Sequence, residues 1–121
     1  QSKRREIWKN YYEGLQSLIG KLTLPKLPSY ADNNGHLFYL ICKNKGQRTE
    51  LIKDLKRKKI NVVFHYQSLH SSPYYKDKYD GRGLPNSELY SDCLLRLPFY
   101  YGLTGEGQLR VITEVKEFLN N

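Results

Sequence analysis

The chain has no methionine, only two cysteines, and no apolar run near the roughly 20 residues a membrane-spanning helix needs. Without an initiator residue, the chain is expected to begin inside a longer protein. Gln1-Ser2-Lys3-Arg4-Arg5 carries the charge of a signal n-region, but Lys9, Asn10 and Glu13 interrupt the stretch from Trp8 to Ile19. No apolar h-region follows, and a cytoplasmic setting is expected. Cys42 and Cys93 both lie in apolar surroundings. That context suits buried free thiols, with a disulfide as the alternative.

Several catalytic signatures are also missing. There is no Cys-x-x-Cys and no His-Glu-x-x-His. Asp80-Gly81-Arg82-Gly83 sits in a loop with no strand before it, so it is no phosphate loop. There is no Gly-x-Ser-x-Gly elbow, and His65 near Ser68, Ser71 and Ser72 lacks an orienting acid.

What is present is one domain's worth of globular chain, 121 residues at 39% hydrophobic and 13% aromatic. Eleven tyrosines stand against four phenylalanines. Tyrosine has an apolar body and a polar tip, so this excess suits surfaces that are buried against something yet wet. The net charge is +8. The window from Lys43 to Lys59 holds eight basic residues against two acids, hence +6 locally. The charge is therefore concentrated, which weakens a reading of the whole domain as a polyanion binder.

Hydrophobic spacing predicts an amphipathic helix from Arg4 to Ile19. Ile7, Trp8, Tyr11, Tyr12, Leu15, Leu18 and Ile19 share one face, and Gly20 is the stop. Residues Leu22 to Asn34 read as extended or loop. The continuous run Leu37–Cys42 predicts a strand covered on both faces. A short helix is expected over Gln47–Lys59, with Leu51, Ile52 and Leu55 inward, then a buried strand over Ile60–His65. Residues 67 to 86 read as a long loop, rich enough in Ser, Tyr, Asp, Gly and Pro to suggest a task. Asn86 or Ser87 can cap a helix through Leu94. Leu95–Tyr100 reads as an edge strand, because Pro98 cannot donate to a central ladder. Thr104 caps a last helix to Leu119, with Leu109, Ile112, Val115 and Leu119 inward. The order α, β, α, β, loop, α, β, α predicts an α+β fold with a small mixed or antiparallel three-stranded sheet covered by helices.

The stretch Val62-Val63-Phe64-His65-Tyr66-Gln67-Ser68-Leu69-His70 carries the most chemistry. An apolar run ends by presenting His, Tyr and His, which is how a rigid sheet offers polar groups to a ligand. His65 and His70 either face a ligand or are solvated, hydrogen-bonded loop histidines. With His36 they could chelate a metal, but no further ligand stands at compatible spacing. Tyr66, Tyr74, Tyr75 and Tyr79 either stack on bases or a sugar-nucleotide ring, or pack at an interface. The basic window either grips phosphates or is the solvated face of one helix. It has no aromatic or polar base readers beside it.

Taken together, these residues resemble the C-terminal small domain of the DegT/DnrJ/StrS sugar aminotransferases, along essentially the whole chain. Arg4-Arg5-Glu6-Ile7-Trp8-Lys9-Asn10-Tyr11-Tyr12 resembles the helix leaving the family's large domain. His36-Leu37-Phe38-Tyr39-Leu40 resembles its His-x-Phe-Tyr strand. Val63 to His70 resembles its His-Tyr-x-Pro-Leu-His segment. Leu95-Arg96-Leu97-Pro98-Phe99-Tyr100 with Gly102-Leu103-Thr104 resembles its Leu-x-Leu-Pro ending. Within the family, the likeness points to the branch making 4-amino-4,6-dideoxygalactose nucleotides for surface polysaccharide.

The resemblance implies a pyridoxal-phosphate enzyme that aminates a keto-sugar nucleotide, in which this piece is inactive alone. It implies substrate-facing roles for His65, Tyr66 and His70, with His36 behind them, and hydrogen bonds to the sugar or its diphosphate. The tyrosine loop and first helix would pack on a large domain or on a homodimer partner. Neither a membrane nor a nucleic-acid partner is implied. The sequence departs from the family at Ser68, where proline is usual, which leaves the loop less rigid. The aldimine lysine, the aromatic cofactor-stacking residue, the pyridine-nitrogen aspartate and the phosphate-binding residues of the family have no counterparts here. A different class remains open, a stand-alone basic module that binds a polyanion or a protein partner.

Overall fold

A computed structural model describes residues 1–121. Helix α1 spans Ser2–Leu15 and runs into a 3-10 turn over Gln16–Leu18. Strand β1 is Tyr39–Ile41, α2 is Lys45–Arg57, β2 is Val63–Phe64 and a second 3-10 turn covers Leu69–Ser71. Helix α3 is Pro85–Cys93, β3 is Leu94–Arg96 and α4 is Gly105–Asn120. The three strands form one antiparallel sheet in the order β1-β3-β2. The predicted α+β class is the observed one.

Alternation along the strands fixes the two faces. Phe38, Leu40 and Cys42 point inward and are buried. Leu95, paired with Leu40, and Leu97 join them. Against this face pack Ile7, Tyr11 and Leu15 of α1, Leu51 and Leu55 of α2, and Val111, Ile112 and Val115 of α4. The opposite face carries Leu37, Tyr39 and Ile41, which are only half-buried. The prediction of a strand covered on both faces is thus corrected, since helices cover one side and leave the other open.

Strand β3 lies at the centre of the sheet, not at its edge. The ladder ends at Arg96, and Leu97 makes one further bond, its N–H donating to the Phe38 carbonyl at 3.0 Å. Pro98 falls just beyond, where a missing donor costs nothing, and its carbonyl accepts from the Tyr11 hydroxyl at 2.8 Å. β2 is an edge strand, and its Val63 and Phe64 are 44% and 56% exposed. The predicted buried strand over Ile60–His65 is therefore buried only at Ile60 and Val62.

Helix ends follow local chemistry. The Asn44 side chain accepts from the Gln47 N–H at 2.8 Å, starting α2 two residues before the predicted start. The α2 C-terminus closes with Lys59 at φ 60° and the Ile60 N–H donating to the Leu55 carbonyl at 2.8 Å. That 6→1 bond is a Schellman motif, usually built on glycine. Pro85 opens α3, where its absent N–H is no loss, in place of a cap by Asn86 or Ser87. Thr104 caps α4 through the Gly107 N–H. The buried stripe of α4 begins at Gln108, whose amide donates to the Ile7 carbonyl at 2.6 Å, so Leu109 turns outward at 62% exposure. Ile19 likewise lies outside, because α1 ends four residues before it.

Candidate functional site

The end of β2 delivers its side chains to two different places. Register pairs Val63 with Arg96 on the open face and Phe64 with Leu95 on the inner one, so alternation puts His65 on the open face. There it lines a recess of about 320 Å³ with Leu37, Tyr39, Tyr90 and Leu94. Its Nδ1 is buried and has no hydrogen-bond partner. Burial pushes the Tyr39 phenol up, and the neighbouring Tyr90 adds to the shift. The recess thus has an apolar floor and a rim of two phenols and an imidazole.

Tyr66 follows in the left-handed region at φ 55°. A non-glycine residue rarely sits there. The ladder has ended at Phe64, and from Tyr66 the chain turns back toward α3. Ser68, buried, then fastens the loop. Its hydroxyl donates to the Ser87 carbonyl at 3.0 Å and meets the Ser87 hydroxyl at 3.1 Å. Its N–H donates to Ser91 Oγ at 3.3 Å. Where the family usually has the stiff ring of proline, this chain ties the loop to α3 through a serine.

Tyr66 and His70 line a second, larger cavity of about 550 Å³ between α2, the end of β2 and α3. His70 Nε2 lies 3.3 Å from Glu88 Oε1, and its ring packs against Tyr79 with centroids 5.1 Å apart. Lys45 and Arg48 of α2 and Ser91 and Asp92 of α3 complete the polar wall. Arg48 Nη1 donates to the Ser91 carbonyl at 2.6 Å, and the guanidinium lies 5.8 Å from the centre of the Phe64 ring.

The structure therefore brings Tyr66 and His70 to one cavity, places His65 in the separate recess with its ring edge-on to that of Tyr66 at 4.9 Å, and groups His36 with neither. His36 is exposed before β1, its N–H bonded to Asn34 Oδ1 and its carbonyl facing Arg4. No three His, Cys, Asp or Glu side chains converge as metal ligands. Cys42 and Cys93 are buried free thiols. Of the tyrosines, Tyr79 is half-buried behind His70, whereas Tyr66, Tyr74 and Tyr75 stay exposed. Sequence reasoning placed Lys45 and Arg48 only within the basic window that either grips phosphates or is a solvated helix face, and it assigned Glu88, Ser91 and Asp92 to no site. The spacing 45/48 on α2 and 88/91/92 on α3 places each set on one helix face, which was the available signal.

A Schiff-base cofactor needs a lysine whose amine is desolvated and easily deprotonated. No lysine here is buried. The one lysine with a displaced ionisation, Lys58, is shifted upward by hydrogen bonds to Glu114 and then Asp54. The residues present do not fit that anchoring role.

The chain thus presents one helix-covered sheet face, one open face with a recess, and a polar cavity between α2, the end of β2 and α3. The profile of the DegT/DnrJ/EryC1/StrS aminotransferase family matches residues 1–116, and the chain belongs to that family. It is 29% identical to the uncharacterized protein MJ1066 of Methanocaldococcus jannaschii over 98% of its own length and 32% of the relative's. It superposes on S. venezuelae DesV, solved with a ketimine intermediate, with a TM-score of 0.89 at 29% identity, covering 99% of this chain and 32% of that one. For NtdA of Bacillus subtilis, solved with the cofactor PMP, the TM-score is 0.83 at 26% identity, over 98% and 28% of the two chains. The chain thus spans about a third of the length of the relatives it matches.

Proposed function

We propose that this chain is the C-terminal small domain of a pyridoxal-phosphate aminotransferase that aminates a keto-sugar nucleotide in surface-polysaccharide (lipopolysaccharide) biosynthesis. In this reading it is inactive alone and belongs in the cytoplasm. The observation that carries the reading is that His65, Tyr66 and His70 follow one strand end into an open recess and an open cavity. Around them Val63, Phe64, Leu69, Tyr74, Tyr75, Leu84 and Tyr90 remain exposed. A surface this apolar is normally covered by a partner. The large domain and a homodimer partner are the natural covers, and the roughly two-thirds of the relatives' length outside this match supplies the first. Family membership and the ketimine and PMP complexes of relatives support the cofactor and the chemistry. Within this chain His65, Tyr66 and His70 serve to hydrogen-bond the sugar or its diphosphate, and His36 supports the entry to β1.

A stand-alone basic module draws less support. Lys53 pairs with Glu50 at 3.0 Å, and Lys58 with Glu114 at 2.6 Å and Asp54 at 3.1 Å, so part of the local +6 is neutralised in place. No helix is long and apolar enough to cross a membrane.

The test is to extend the gene upstream of Gln1 and assay the product with pyridoxal phosphate, an amino donor and 4-keto-6-deoxy nucleotide sugars. A large domain with an aldimine lysine, and a KM for the sugar nucleotide raised about tenfold or more by His70→Ala with the fold intact, is the expected result. A product with no such lysine, or with kinetics indifferent to His65, Tyr66 and His70, overturns the proposal.

A further inference from the structure

We propose that the cavity between α2, the end of β2 and α3 is a phosphoryl-binding subsite in which Arg48 and Lys45 hold the anion. Three observations lead there. First, the Arg48 charge is left without an acid. The two carboxylates of the cavity face other groups: Asp92 lies 3.8 Å from Lys45, and Glu88 lies 3.3 Å from the His70 imidazole. Second, Arg48 has a donor to spare. Nη1 is occupied by the Ser91 carbonyl, but the Nε–H is buried and meets no acceptor. A buried donor without a partner is costly, and an oxyanion drawn in beside the guanidinium would satisfy it. Third, the guanidinium is held in position by the Ser91 carbonyl and the Phe64 ring, so its fork is oriented before anything binds.

The surroundings select the class of anion. Lys45 lies one helical turn before Arg48 on the same face of α2. Ser91 and Tyr66 bring hydroxyls to the same wall. This is a multi-directional set of donors around about 550 Å³, more than a planar carboxylate uses and suited to a tetrahedral phosphoryl group or a diphosphate. With Lys45 and Arg48 against Glu88 and Asp92 the formal charges of the wall cancel, so selectivity comes from the placed donors and not from a bulk positive field. That the phosphoryl group belongs to a nucleotide-linked sugar rests on the function proposed above; the subsite itself does not.

The experiment is an NMR titration of the ¹⁵N-labelled 121-residue chain, following the Arg48 Nε–H and the Tyr66 and Ser91 amides. Inorganic pyrophosphate is the probe, and KCl at matched ionic strength is the control. A saturable downfield shift of the Arg48 Nε–H, absent with KCl, is expected. Lys45→Met should weaken pyrophosphate binding about tenfold, and Arg48→Lys, which keeps charge but loses the fork, by a similar factor. Arg48 also holds the Ser91 carbonyl, so the exposed Lys45→Met variant keeps the test clear of folding defects. No saturable shift, an equal shift with KCl, or unchanged binding by Lys45→Met overturns the subsite. Uridine and thymidine diphosphates then separate the two readings. If pyrophosphate moves Arg48 and the nucleotides do not, the subsite stands and its sugar-nucleotide source falls. If the nucleotides bind without moving Arg48, the subsite falls and the function proposed above survives.

Discussion

Two residues other than glycine sit in the left-handed region, Lys59 at φ 60° and Tyr66 at φ 55°, and comparing them isolates the strain stored at the site. Left-handed backbone costs a residue with a Cβ about 1–2 kcal/mol. Glycine removes that cost but gains freedom in the unfolded chain worth about 0.4–1 kcal/mol. At Lys59, an exposed C′ position with no side-chain hydrogen bond or ion pair, glycine should therefore stabilise by about 0.5–1 kcal/mol. For a chain of this size that raises Tm by about 2–6 °C. At Tyr66 the same backbone gain is opposed by the loss of the ring contact with His65, where the centroids are 4.9 Å apart. The Tyr66 ring is 74% exposed, so that contact is worth at most about 0.5 kcal/mol. Tyr66→Ala keeps the strain and loses the contact, and should destabilise by about 0.5 kcal/mol. Tyr66→Gly should come out near neutral. The decisive quantity is the glycine-minus-alanine difference, predicted at about 0.5–1 kcal/mol in favour of glycine at both positions. Urea melts followed by circular dichroism read it from the midpoints at constant slope. Alanine as stable as glycine at Tyr66 would refute the claim that the chain holds strain there. The same Tyr66→Gly protein, as stable as the parent, then reports what the aromatic ring does for ligand without a folding artefact.

Ser68→Pro should be tolerated by the backbone, since Ser68 already sits at φ −59° and ψ 135°. It should nonetheless cost about 1 kcal/mol, because the N–H and hydroxyl ties to Ser91 and Ser87 are lost; greater stability in urea would show that those ties contribute nothing. Gly35→Ala should destabilise by about 2–3 kcal/mol, because a Cβ there would lie 2.8 Å from the Arg4 carbonyl carbon and φ is 60°; an unchanged Tm would contradict that close approach. Tyr11→Phe removes the hydroxyl bonded to the Pro98 carbonyl and should cost about 1–2 kcal/mol, read from the urea midpoint. Burial, then the neighbouring Cys93, pushes the Cys42 thiol up from 9.0 to about 12. Between those values the unfolded chain releases a proton that the folded chain keeps. Stability from this group is therefore full below pH 9 and falls as pH rises toward 12. Cys42→Ala should flatten that alkaline decline, and identical pH profiles would sink the assignment.

The sequence was most legible where one periodicity acted alone. The stripe of α1 from Ile7 to Leu15 and the Leu51/Leu55 face of α2 are buried as their spacing requires. Reading failed where a single residue type was made to stand for topology. Pro98 suggests an edge strand, yet proline constrains only its own N–H, and β3 finishes its ladder two residues earlier. Hydrophobicity points Leu109 inward, but the helix phase set by Thr104 puts the polar Gln108 inside, where its amide satisfies the Ile7 carbonyl. A buried polar residue with an obligatory partner overrides an apolar neighbour that has none.

The site shows the same limit in a sharper form. Val63 to His70 was visible as the chemical segment because its residue types are unusual, but its partition was not. Alternation alone sends His65 to the open face and Phe64 inward. What separates Tyr66 and His70 from His65 is the left-handed turn at Tyr66 followed by the Ser68 anchor to α3. That anchor reaches residues 19 and 23 positions away, and the Glu88 beside His70 lies 18 away. The wall of the larger cavity is assembled from α2 and α3, whose polar faces read as ordinary solvated helix surface until the fold sets them opposite each other. Local sequence can name the groups at a strand end. Which of them share a pocket is decided by the tertiary hydrogen bonds that bring α3 against that strand, and substitutions at Ser68, Ser87 and Ser91 should therefore disturb the placement of Tyr66 and His70 while leaving His65 where it is.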